Sequence, residues 1–116
     1  MISDSDFITA ADATLDAIGR ALDAALARSD IDVDWNLNDG ILTIEGEDGS
    51  KVIVNRHLPN REIWVAARAG GYHFRPAEGR WRDTRGGDEL GGALARLLKT
   101  QMGLEIALAD LPAPGA

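Results

Sequence analysis

Cysteine is absent from this chain of 116 residues. Without a thiol the chain forms no disulfide, no thiolate metal site, no persulfide and no cysteine-ligated iron–sulfur cluster, so any sulfur chemistry it serves takes place on a partner. No apolar run is long enough to cross a bilayer. Nor does the N-terminus carry a basic stretch followed by an apolar segment and a small-residue cleavage site. The expectation is a soluble, cytoplasmic protein. Catalytic patterns are missing too: no serine, histidine and acid spacing supports hydrolysis, and no glycine loop opens a helix as a phosphate site requires. There is no internal repeat and no low-complexity segment beyond a short Pro/Ala/Gly end.

What is present is acid, unevenly placed. The formal charge of −7 divides into twelve acids against two bases over residues 1–48 and seven acids against ten bases over residues 49–116, which is −10 and +3. A field of one sign over the front half attracts cations and basic protein surfaces and repels nucleic acid. With 45% apolar residues the chain is long enough to bury one core and too short to divide, so residues 1–116 are expected to form a single domain.

From Phe7 the residues Phe7, Ala11, Leu15, Ile18, Leu22 and Leu26 recur at steps of three and four, the stripe of a helix from about Ser5 to Ala27. Ser3 or Ser5 is the available cap, and acids in the opening turn suit the helix dipole. After Ser29 the period becomes two. Ile31, Val33, Trp35 and Leu37 alternate with Asp30, Asp32, Asp34 and Asn36, a half-buried strand whose outer side carries carboxylates. Turns at Asn38-Asp39-Gly40 and Asp48-Gly49 bracket strands at 41–45 and 51–56. Pro59 breaks the ladder before a strand at 62–68, Gly70-Gly71 turns the chain into 72–75, and a short strand near 80–82 completes the sheet.

Leu90, Leu94, Leu97, Leu98 and Met102 form a second helical stripe closed by Gly103. Gly91 and Gly92 inside it each cost about 1 kcal/mol relative to alanine, so packing must hold this helix. The tail keeps Leu104, Ile106, Leu108 and Leu111 and is too apolar to stay free; docking between the helices over about 104–116 is expected. The sum is an α+β fold, a two-layer α-β sandwich with two helices packed on one face of an antiparallel sheet of about five or six strands. The other face is left to solvent.

Three stretches resemble the frataxin family in its bacterial CyaY form. Asp4-Ser5-Asp6-Phe7 with Ala11-Asp12 is similar to the start of that family's first helix, and Ser29-Asp30-Ile31-Asp32 to its first strand. Most specific is the series Gly40-Ile41-Leu42-Thr43-Ile44, Gly49-Ser50-Lys51-Val52-Ile53-Val54-Asn55-Arg56, Pro59, Ile63-Trp64-Val65-Ala66 and Gly70-Gly71-Tyr72-His73-Phe74, in the family's order. The resemblance implies a frataxin-like α-β-α fold, a monomer, and no enzymatic turnover of its own. It also implies weak iron binding at an acidic ridge on the first helix and first strand. The implied partners are a cysteine desulfurase and its iron–sulfur scaffold protein, whose rate of cluster assembly such a protein modulates; neither nucleic acid nor membrane is expected.

Helical geometry places Asp12, Asp16 and Asp23 within a narrow arc flanking the apolar stripe. With that edge beside the first strand, as the resemblance implies, Asp30, Asp32 and Asp34 extend the same negative surface. Carboxylates at i and i+4 lie about 5–6 Å apart at Cβ, and alternate strand residues about 6.6 Å apart. These spacings are too wide for several to converge easily on one ion. The implied site is open: one or two carboxylates and mostly water around each iron, Fe2+ or Fe3+, with no imidazole or thiolate to impose selectivity and an affinity of about micromolar or weaker. The plainer reading of such a run is a solvated surface, where like charges cost roughly a few tenths of a kcal/mol per pair. Gly19, Arg20, Ala24 and Ala25 stand where relatives in the family often carry acids, so the ridge is thinner here.

Asn55 and His57 share one side of the third strand, and Trp64 points away from Ile63 and Val65 on the fourth. If the aliphatic residues face the helices, Trp64 stands on the open face near Asn55, either as a protein-binding anchor or as cover for its own strand. The resemblance makes Asn55, His57 and Trp64 the contact for the scaffold protein, with His57 where glutamine is common. His57 and His73 could each ligate a metal, but a lone strand histidine is ordinarily a surface or packing residue. Arg56, Arg61, Arg68, Arg75, Arg80, Arg82 and Arg85 make the later region basic, and solvated sheet edges are the plain explanation. Three functions compete. They are an iron-binding regulator of iron–sulfur assembly, a carboxylate-based ferroxidase or iron-storage protein, which needs convergent ligands, and an acidic decoy for an unrelated basic protein.

Overall fold

The computed structural model describes residues 2–108, 111, 113 and 114. Helix α1 spans Asp4–Ala27 and starts where Ser3 Oγ accepts a hydrogen bond from the Asp6 amide at 3.1 Å, with Asp4 and Asp6 in the first turn against the positive end of the dipole. Its buried side is Phe7, Ala11, Thr14, Leu15, Ile18, Gly19, Leu22 and Ala25. Leu26, expected in the stripe, is only partly buried because the 3.6-residue period brings Ala25 to the core instead.

Six strands follow: β1 (Val33–Asn38), β2 (Ile41–Gly46), β3 (Lys51–His57), β4 (Glu62–Ala67), β5 (Gly70–Ala77) and β6 (Arg80–Asp83). Helix α2 (Leu90–Met102) closes the order. Each strand pairs antiparallel with the next. Two-residue loops explain part of this meander. Asp39 and Gly40 sit at φ 49° and 77°, Glu78 and Gly79 at φ 56° and 75°, the left-handed pairs that match strand twist. β1 begins two residues later than the alternation suggests, because the Ile31 amide bonds Ser29 Oγ at 3.0 Å and holds that stretch in a turn.

Alternation sorts the side chains between two faces. Val33, Leu42, Ile44, Val52, Val54, Ile63, Val65, Phe74 and Trp81 are buried against the helices with Leu15, Ile18, Leu22, Leu90, Leu94 and Leu98. Trp81 is the largest fully buried side chain. It meets Phe7 edge-on, with centroids 6.0 Å apart, and donates Nε1–H to Thr14 Oγ1 at 3.0 Å, which ties β6 to α1.

α2 is capped by Glu89, whose carboxylate accepts from the amides of Gly91 at 2.9 Å and Gly92 at 3.2 Å, and it ends at Gly103 with φ 69°. The two helix glycines differ. A Cβ on Gly91 would lie 2.6 Å from the Leu108 carbonyl oxygen, whereas one on Gly92 meets nothing within 4 Å. The tail therefore crosses α2 at Gly91. Leu104 and Leu111 are buried, Ile106, Leu108 and Ala113 partly so, and the Ala113 amide bonds the Gly79 carbonyl at 3.1 Å. Gly103 and Glu105 share a shallow cleft with Ala25, Arg28, Ser29 and Ile31. Residues 109, 110, 112, 115 and 116 of the expected docked tail lie outside the described residues.

Candidate functional site

The acidic residues wrap around the free edge of the sheet at β1. On the helix side, Asp12 is ion-paired with Arg56 of β3, whose guanidinium also comes within 3.7 Å of Asp39 in the β1–β2 turn. Gly40 makes room for it: a Cβ there would lie 2.7 Å from Arg56 Cζ. Asp23 accepts from Trp35 Nε1 at 2.8 Å, and the Trp35 ring lies so close to Gly19 that a Cβ there would be 2.7 Å from Cη2. A packed ring thus accounts for Gly19 on this edge.

Asp16, Asp30, Asp32 and Asp34 are exposed, and none has an ion-pair partner among the described residues. Asp34 points to the open face, directly opposite Glu45 of β2. Two carboxylates facing each other across an antiparallel pair repel, and with Asn36 and Thr43 they border a shallow cleft. The six aspartates singled out from the sequence therefore occupy two sides of one edge: Asp12, Asp16 and Asp23 on α1, Asp34 across the strand, Asp30 and Asp32 in the connection between. Among the described residues, no group of three or more His, Cys, Asp or Glu side chains is placed to hold a metal ion. Such an edge offers a cation one carboxylate or a pair, with water completing the shell. Sequence reasoning missed Glu45, because only strand register sets it opposite Asp34.

The second feature lies on the open face. Trp64 stands in register with Asn55 on one side and His73 on the other. Its indole is sandwiched between two imidazoles, His57 at a centroid distance of 3.6 Å and 11° and His73 at 4.3 Å and 7°. Beneath the rings lies Glu62, only 2% exposed. Its Oε1 accepts from Trp64 Nε1 at 2.8 Å and lies 3.7 Å from His73 Nδ1; its Oε2 accepts from Arg75 Nη2 at 2.8 Å and Nε at 3.2 Å. Burial pushes the Glu62 pKa up, but the bonds from Trp64 and Arg75 and the charges of Arg75 and His73 outweigh it, so the carboxyl is held below its ordinary range. Alternation located Asn55, His57 and Trp64. It could not show that His73 and Glu62 complete the assembly, since that depends on the β4–β5 register.

The arginines do more than solvate sheet edges. Arg56 with Asp12, Arg61 with Asp4, and Arg68 with Asp48 at 2.9 Å join the basic half of the chain to the acidic half. Arg75 holds Glu62, while Arg82 and Arg85 donate to the carbonyls of Gly87 at 3.3 Å and Gly71 at 2.8 Å. The Ser50 amide bond, then the bond from Arg68, lower the Asp48 pKa to about 2.

An antiparallel sheet backed by two helices, with its charged and aromatic groups displayed on surfaces, is a small α+β domain. The chain belongs to the frataxin-like family, whose domain model matches residues 1–104. It is 47% identical over 106 residues to the iron-sulfur cluster assembly protein CyaY of Burkholderia mallei and Burkholderia pseudomallei, covering 91% of this chain and 97% of the relative. The Ralstonia nicotianae protein of the same name is 44% identical over 107 residues, covering 92% and 95%. Among solved structures, the Psychromonas ingrahamii frataxin matches with a TM-score of 0.78 at 30% identity, covering 94% of this chain and all of that one. A trimeric frataxin from the yeast Saccharomyces cerevisiae, complexed with ferrous iron, matches with a TM-score of 0.71 at 26% identity, covering 81% and 86%. No helix among the described residues is long and apolar enough to cross a membrane.

Proposed function

We propose that this protein is an iron-binding regulator of iron–sulfur cluster assembly that takes iron weakly and reversibly at its acidic β1 edge and adjusts the output of a cysteine desulfurase and its scaffold protein. It acts in the cytoplasm as a monomer and catalyses no reaction of its own. The observation that carries this reading is the set of exposed carboxylates Asp16, Asp30, Asp32 and Asp34, without an ion-pair partner among the described residues and joined by Glu45, around one free sheet edge. Membership of a family whose relatives are named for iron–sulfur cluster assembly supports the biological role.

Asp12 and Asp23 contribute less to iron than their positions suggest, because Arg56 and Trp35 already occupy them. That leaves an edge suited to transient loading, with an affinity of about micromolar or weaker. A ferroxidase or store needs several carboxylates converging on one ion, and the scattered placement of these side chains argues against both. The open face, with Asn55, His57 and Trp64, is the contact for the scaffold protein in this reading. Asp16→Asn combined with Asp30→Asn, Asp32→Asn and Asp34→Asn should abolish Fe(II) binding in anaerobic calorimetry while the melting temperature holds. Undiminished iron binding in that variant would refute the assignment.

A further inference from the structure

We propose that the open sheet face docks an anionic protein surface, and that protonation of His73 sets how tightly it does so. The inference rests on the reading of this face as the partner contact and adds the partner's chemistry and its control.

Stacking fixes the geometry. Imidazoles cover both faces of the Trp64 indole, so a partner meets three parallel ring edges and not an indole face. Ring edges carry the positive part of the aromatic quadrupole and favour oxygen acceptors, while the covered faces deny a cation its stacking site. Charge points the same way. Arg75, paired with Glu62, stands opposite Arg82 in the β5–β6 register on this face, and the guanidinium groups of Arg82 and Arg85 bond to carbonyls with no carboxylate partner among the described residues. Glu62, the acid nearest the rings, is already held by Arg75 and Trp64. Asn38 and Ile41 extend the ring row without charge; Asp39 in the β1–β2 turn is directed at Arg56. Asp34 and Glu45 lie on the same face but toward the other end of their strands, where Glu45 is in register with Lys51. α1 and α2 pack on the opposite side of the sheet and, among the described residues, bring no hydrogen-bonding or ring partner to His57, Trp64 or His73.

Histidine changes charge between about pH 5 and 8. An imidazolium at His73 gains a cation–π contact with the indole and has Glu62 Oε1 at 3.7 Å from its Nδ1, whereas His57 Nδ1 is buried with no hydrogen-bond partner among the described residues, so of the two rings only His73 has an acceptor for the added charge. Protonation of His73 thus adds one positive charge to a surface on which the Arg82 and Arg85 guanidinium groups have no carboxylate partner among the described residues.

The test is a titration of the ¹⁵N-labelled protein with a synthetic glutamate-rich peptide, which stays anionic at about pH 5.5 and about pH 7.5 alike. Binding is read at the Trp64 indole N–H. The expected result is a Kd about twofold lower at the acidic pH, the contribution of one exposed charge pair of ordinary strength. His73→Gln should remove that difference, and so should His73→Asn, which keeps the test open where one variant does not fold. Equal affinity at both pH values, an undiminished difference in the variants, or no response at Trp64 would each overturn the inference. An iron–sulfur scaffold protein that leaves Trp64 unperturbed while the peptide binds would overturn the assembly role and leave this inference standing.

Discussion

Alanine at two adjacent helix positions should move stability in opposite directions. Gly92 is exposed and nothing lies within 4 Å of where its Cβ would go, so Gly92→Ala restricts the unfolded chain and meets no clash. The gain is up to about 1 kcal/mol, or about 4 °C in Tm for a domain of this size. Gly91→Ala carries the same gain, but its Cβ would sit 2.6 Å from the Leu108 carbonyl oxygen. A backbone carbonyl cannot swing aside as a side-chain tip can, so the tail must lift from α2. Lifting exposes Leu111, whose burial is worth about 1.5–3 kcal/mol, and the half-buried Leu108, worth about 1 kcal/mol more. Chain entropy recovered by the freed residues offsets part of that loss. The balance is a net cost of about 1–2 kcal/mol, which separates the two variants by about 2–3 kcal/mol and about 8–12 °C in thermal unfolding followed by circular dichroism. Equal rises in Tm would refute the docking of the tail on α2.

Three further outcomes follow from the same contacts. Gly19→Ala should destabilise by about 1–2 kcal/mol despite the helix propensity it gains, because Trp35 must move and release Asp23; a more stable variant with unchanged Trp35 fluorescence would contradict this. The folded pKa of Glu62 lies below its ordinary 4.5, so its contribution is complete above about pH 4.5 and is lost as pH falls through the folded value. Glu62→Gln should therefore cost about 1–2 kcal/mol at neutral pH and flatten the acid limb of stability, and an unaltered limb would count against the network. Asp48 should titrate near pH 2 by carboxyl NMR, and Arg68→Gln should raise its midpoint without restoring 3.8, since the Ser50 amide remains; no shift would remove Arg68 from the explanation.

Local rules made the elements legible. The α1 stripe, the alternation of β1–β4 and the Gly103 stop follow from periods and turn residues, whereas the β4–β5 turn falls at Arg68-Ala69 and not at Gly70-Gly71, which open β5; the sequence resemblance anticipated the family. What stayed hidden were partners across elements. Arg56 meets Asp12 from a position 44 residues away, and nothing in either neighbourhood announces it. Periodicity says which face a residue takes; register and helix placement decide whom it meets there. Hence Asp12, Asp16 and Asp23 read alike on a helical wheel, yet Arg56 holds the first, Trp35 the third, and the middle one is exposed. Glu62 was similarly opaque, since an acid opening a strand reads as solvated until β5 brings Arg75 and His73 against it.

The most direct test of the central claim is an anaerobic Fe(II) titration of the ¹⁵N-labelled protein. The account predicts paramagnetic broadening confined to the β1 edge, at Asp16, Asp30 through Asp34 and Glu45, with the Trp64 indole resonance unaffected. Broadening centred on His57 and His73, or no localised broadening at all, would contradict it.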